Sequence, residues 1–234
     1  MTLQRYDLEN MVKDGLVSDI FRAERAIELL KVSGSRAAQI NGRREGFAPL
    51  FDAIQASLNT EALLALSRIF DKPSKQYPTR CLCGVLAFLA KRSTELPSVR
   101  EPHQLTISLR AMNASDQLIS TVNEQPANFA TMFAAFVDEI LRSTSNIQTL
   151  EKLQILRDKR LAHNEQTSEF DGPLWSELIL LLELAKQVVG VLGWAYFSVA
   201  YMPNGKYLLT DDALRPSRAL TRLLDQVYGA EAPS

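Results

Sequence analysis

Phe129-Ala130-Thr131-Met132-Phe133-Ala134-Ala135-Phe136-Val137-Asp138-Glu139-Ile140 carries the cleanest periodicity in the chain. Phe129, Met132, Phe133, Phe136 and Ile140 recur at steps of three and four, so a helix gathers them along one stripe. A half-buried strand would need apolar and polar residues to alternate, and no run in the chain sustains that pattern.

The same period extends in both directions. Downstream, Ser145 with Gln148 reads as a capping box opening a helix on Ile147, Leu150, Leu153 and Leu156. After a polar break at 164–172, Pro173 suits the first turn of a long helix running to about Tyr201. Its polar or small residues, Glu183, Lys186, Gln187, Gly190 and Gly193, form a narrow stripe, which marks a core helix buried on most sides. Pro203-Asn204-Gly205 ends it, and 214–228 supplies a last helix, with Asp211-Asp212 favouring a helix start.

Upstream, Leu8, Met11, Leu16, Ile20, Ala23, Ile27 and Leu30 keep helical steps, and Gly15 offers a point where that run can divide. A second run covers 47–58, and Asn59 reads as the N-cap of a third helix on Leu63, Leu66, Ile69 and Phe70, stopping near Asp71-Lys72-Pro73. Residues 79–93 form another. The stretch 96–127, with Pro97, Pro102 and Pro126 among polar residues, reads as a loop-rich connection holding one helix near 115–123. The predicted fold is an all-α bundle with long core helices and a loop-rich insertion, in a single domain over 1–234. A chain of this mass can bury about 70% of its extended surface, enough for one well-formed core.

Composition narrows the chemistry. Two cysteines, spaced C-x-C as Cys81 and Cys83, and two histidines cannot complete a structural zinc site or a disulfide framework. No Gly-rich phosphate loop, G-x-S-x-G elbow or H-E-x-x-H helix is present. Sparse cysteine and no apolar segment behind a basic N-terminus point to a reducing compartment, the cytoplasm. The uncharged stretch 187–202 is 16 residues long, short of the roughly 20 a membrane span needs. With 26 basic and 27 acidic residues, any nucleic-acid contact must come from a local patch. Cys83 reads as a small buried hydrophobe, His103 as a solvated loop residue, and Arg68 with Asp71 as an exposed ion pair.

One segment concentrates reactive groups: Leu156-Arg157-Asp158-Lys159-Arg160-Leu161-Ala162-His163-Asn164-Glu165. On a regular helix Arg157 and His163 would point about 120° apart with about 9 Å of rise between them, and Arg160 would be the nearer neighbour of the histidine. Arg157 and His163 converge only if the helix ends or unwinds near Ala162. A neutral imidazole can exchange a proton with a ribose 2′-OH or a 5′-oxygen, and a forked guanidinium suits phosphate oxygens. The same residues also fit a purely structural role, since cations in a last turn complement the helix dipole.

This segment resembles the R-x(4-6)-H motif of the HEPN superfamily, and is closest to the R-D-K-x-x-A-H form of its AbiU2-like branch. Leu64-Ala65-Leu66-Ser67-Arg68-Ile69-Phe70-Asp71 is similar to the helix ending in L-x-D that this branch carries upstream. The resemblance implies metal-independent RNA cleavage, with no cofactor, by a toxin or phage-defence effector. Arg157 and His163 would be catalytic and Asp158 would orient the arginine. Lys159 or Arg160, with Asn164, would hold RNA. It also implies a homodimer that sets two His163 residues in one cleft and brings together six cations from Arg157, Lys159 and Arg160. An antitoxin protein is a further implied partner. Where related toxins carry a tyrosine that receives nucleotidyl groups, this chain has Glu165, so that route of control is not implied. The alternative is a non-catalytic helical module that dimerises or binds a protein partner through the helix at 175–201.

Overall fold

The computed structural model describes residues 3–42, 46–72, 80–158 and 171–229; for residues 3–6 it describes the backbone alone. The described residues form helices and connecting turns, with no strand among them. The N-terminal run is one rod. Helix α1 (Leu3–Asn10) passes through a π-helical segment (Met11–Val17) into α2 (Ser18–Ser35) without a break. Gly15 therefore marks a widening of the rod. A Cβ there would lie 2.4 Å from the Arg80 Cβ, so only glycine lets the incoming chain pass this close.

Short α3 (Ala37–Gly42) leads to α4 (Ala48–Ile69), which packs along α2 more extensively than any other pair of helices. The predicted division at Asn59 is absent. That side chain is exposed on the outer face of α4, and the packing of Ala62, Leu63, Ala65 and Leu66 keeps the helix continuous. Next come α5 (Leu82–Lys91), α6 (Pro102–Ala111), α7 (Asp116–Glu124), α8 (Pro126–Leu141) and α9 (Thr144–Ile155).

Two helices therefore occupy the stretch predicted to be loop-rich. Pro102 starts α6 where it was read as a breaker, and a first-turn proline lacks only an N–H that would have had no helical partner. His103 accordingly sits in the first turn of α6, exposed, and not in a loop. The predicted Ser145 cap also shifts: Ser143 precedes the first residue of α9, and Asn146 Nδ2 donates to the Ile140 carbonyl at 2.8 Å across the α8–α9 corner.

Helix α10 (Trp175–Leu192) begins after Pro173, where the Leu174 N–H donates to Glu177 Oε2 at 2.9 Å. It ends in a π-helical turn (Gly193–Phe197), short of the predicted Tyr201, because Ser198 adopts a left-handed conformation. A Cβ on Gly193 would meet the Val199 carbonyl at 2.4 Å, so this glycine permits the chain reversal. Together, Trp175–Phe197 form the one described helix long and apolar enough to cross a membrane, and 72% of its most apolar window is buried. Phe129 and Phe133 stack at 5.6 Å, with Tyr196 beside Phe129 at 6.4 Å, in a continuous core shared by α2, α4, α5, α8 and α10. The chain closes with α11 (Thr210–Ala213) and α12 (Arg215–Tyr228), which lie on α2.

The stripe on α10 has a specific use. Lys186 is 5% exposed; its Nζ meets Glu24 Oε1 at 2.6 Å and Glu183 Oε1 at 2.7 Å. Thr210 Oγ1 donates to the same Glu24 oxygen at 2.8 Å, so one buried carboxylate ties α2, α10 and α11 together.

Candidate functional site

The last turn of α4 buries Leu66 and Ile69 in the core, which directs the chain leaving the helix at Phe70-Asp71 toward α9. On α9, Leu153 is buried and Leu150 packs on the core, holding its C-terminal end against α4. Helix α9 continues past Ile155 as a π-turn over 156–158. Such a turn advances each residue by a smaller angle than an α-helix, so regular-helix geometry no longer sets the direction in which Arg157 points.

Arg157 is thereby brought to Asp71, 86 positions earlier in the chain. Its Nη1 lies 2.8 Å from Asp71 Oδ1, and its Nε donates to Asp158 Oδ1 at 2.7 Å. Asp71 Oδ1 also accepts from the Lys72 backbone N–H at 2.8 Å. The hydrogen bond to Asp158, and after it that to Asp71, raises the guanidinium's pKa further against partial burial, leaving it a permanent cation. A guanidinium has five N–H donors. These two bonds use two of them, which leaves three for another acceptor. At 26% exposure, the side chain is fixed in place and open to a ligand.

The predicted Arg68–Asp71 pair does not form. Arg68 points to α2, where its Nη2 lies 2.8 Å from Asp19 Oδ1, and Asp71 serves Arg157. Asp71 is the residue that sequence reasoning assigned to the wrong partner. The signal available for it was its place at the end of the L-x-D-like helix.

Beside Arg157 lies a cavity of about 240 Å³. Phe70, Ile147, Leu150 and Leu153 supply its apolar walls, while Ser67, Lys72, Glu151 and Gln154 contribute polar groups. Cys83, read from the sequence as a small buried hydrophobe, also lines it and is half-buried. Burial, then the neighbouring Cys81, Asp138 and Asp71, push its thiol pKa up, which disfavours the reactive thiolate.

Of the sequence-predicted site residues, Arg157 and Asp158 are together. Lys159, Arg160, His163 and Asn164 lie outside the described residues. His103 belongs to α6, which packs on α7 and α10. The family model of AbiU2, a HEPN family, matches residues 5–213 of the chain. No curated protein and no solved structure matches it.

Proposed function

The chain belongs to the AbiU2 family of HEPN domains, and from that membership we propose that it is a metal-independent endoribonuclease acting as a toxin or phage-defence effector. The observation that supports this reading is Arg157, an accessible cation clamped by Asp71 and Asp158 with donors to spare. That arrangement suits a phosphodiester whose charge grows in the transition state, since a preoriented cation costs no reorganisation as the charge develops.

In the proposed reaction, neutral His163 takes the proton of a ribose 2′-OH as the 2′-oxygen attacks phosphorus. The P–O5′ bond breaks, the 5′-oxygen leaves with a proton from an imidazolium, and a 2′,3′-cyclic phosphate remains. Arg157 holds the non-bridging oxygens, while Lys159, Arg160 and Asn164 engage the flanking RNA. A homodimer supplies the second His163, so that one imidazole acts as base and the other as acid. An antitoxin protein restrains the activity by a means other than modification of a tyrosine, since Glu165 stands at that position.

The test is cleavage of single-stranded RNA in EDTA. Arg157→Ala and His163→Ala should each lower the rate by at least about 100-fold, the usual contribution of a general acid–base or transition-state donor. Cleavage that survives both substitutions contradicts the reading.

Exposed apolar residues favour a second reading, a non-catalytic dimerisation or protein-interaction module. Leu174, Trp175 and Leu180 stand exposed at and near the start of α10, while the rest of that helix is mostly buried. This reading predicts a stable oligomer in light scattering without RNA cleavage; a monomer at micromolar concentration contradicts it.

A further inference from the structure

The cavity beside Arg157 has a form that phosphate binding alone does not require. Its volume of about 240 Å³ is some eight times the roughly 30 Å³ that a water molecule occupies, and below the roughly 300 Å³ at which pockets for drug-sized ligands begin. A single planar ring system fits that space, with the rest of a nucleotide outside it. Phe70, Ile147 and Leu150 offer apolar faces to such a ring.

The polar groups specify the ring further. Asp71 and Glu151 balance Lys72 and Arg157, so the lining is neutral overall. The Asp71 carboxylate is engaged by Arg157, whereas Glu151 forms no ion pair among the described residues. An unpaired carboxylate repels phosphate and accepts N–H donors, as carboxylates do from the exocyclic amine of cytosine.

We propose that this cavity is a nucleobase subsite, seating an amino-bearing base (guanine, adenine or cytosine, in preference to uracil) beside the phosphate that Arg157 engages. The proposal rests on the ribonuclease reading and assigns the base preference to Glu151 and the general affinity for a base to Phe70. Glu151 accepts from the exocyclic amine, and Phe70 stacks on the ring. Uracil has no exocyclic amine, and its one ring donor on that edge, N3–H, lies between two carbonyls that would repel the Glu151 carboxylate.

Equilibrium binding of the four nucleoside 3′-monophosphates to the full chain, with inorganic phosphate as a separate probe, tests the subsite. The guanine, adenine and cytosine nucleotides should bind about tenfold tighter than the uracil nucleotide, on the scale of one specific base-edge contact. Glu151→Gln should erase that preference and leave phosphate binding intact, and Arg157→Ala should weaken phosphate itself. Phe70→Leu, verified as folded by thermal melting, should weaken all four nucleotides. Equal affinities, no binding, or a preference that persists in Glu151→Gln would overturn the subsite. Cleavage through Arg157 combined with equal nucleotide binding refutes the subsite alone. The stated preference in a protein that cuts no RNA supports the subsite and refutes the nuclease reading.

Discussion

Arg157 is held by two carboxylates on different sides of its guanidinium, one adjacent in sequence and one delivered by the end of α4. Asp158 alone would leave the side chain free to rotate about its long stem, and Asp71 removes that freedom. In the proposed reaction Asp71 is a positioning residue, acting through Arg157. Asp71→Ala should therefore lower kcat about tenfold, roughly 1.4 kcal/mol in the barrier, with little change in KM. Asp71→Asn, which keeps an acceptor oxygen at the same place, should recover part of the loss; equal losses in both variants would contradict a positioning role. Arg157 and Asp158 were legible as a site because they sit side by side in a dense run of charges. The role of Asp71 was not. Its partner lies in a distant segment, and a nearby cation, Arg68, offered a local pairing that the fold uses instead to join α4 to α2.

Helices were legible where burial enforces a long stripe, as on α8 and α10, whereas α6, with Leu105 and Leu109 buried, was missed. Local stop and start signals were less dependable. Asn59 has the chemistry of an N-cap but lies on the solvent face of α4, where its weak helix preference costs only a few tenths of a kcal/mol and cannot outweigh continuous packing on α2. Pro102 misled in the opposite direction. At the level of helix packing, the Lys186–Glu24 pair fixes how α2 and α10 meet, and only a tertiary structure reveals it. Lys186→Met should destabilise the fold by about 3–5 kcal/mol, because Glu24 already has one buried oxygen without a hydrogen-bond partner among the described residues and would lose its counter-charge. Replacing both, Glu24→Leu with Lys186→Met, should restore most of that stability. Denaturant unfolding of the two single variants and the double variant measures the coupling; additive losses would contradict a buried pair acting as a unit.

Over the whole molecule, buried protonated groups couple stability to alkaline pH. Burial pushes the phenols of Tyr196 and Tyr207 up strongly and that of Tyr201 to about 12. Burial works to lower the pKa of Lys186, but its hydrogen bonds to Glu183 and Glu24 outweigh that and raise it. In the unfolded chain these tyrosines ionise near pH 10 and lysine near 10.4, while the folded protein still holds the protons. The unfolded state then binds fewer protons, so stability falls as pH rises. Unfolding free energy should be nearly flat in these groups from pH 7 to 9 and decline above about pH 10; a rise over that upper range would contradict the burial described.

At the same scale, the all-α class and family membership were legible from periodicity and two short segments. The convergence of the α4 end, the π-turn at 156–158 and the cavity between them was not, since each depends on contacts between separate parts of the chain. Arg157, so placed, is proposed to work with His163 in cleaving RNA by attack of the 2′-oxygen. End-group analysis of single-stranded RNA cut in EDTA tests it most directly. The fragments should end in 2′,3′-cyclic phosphate with 5′-hydroxyl partners, and both should be lost in Arg157→Ala and His163→Ala. Fragments bearing 3′-hydroxyl and 5′-phosphate ends would contradict it.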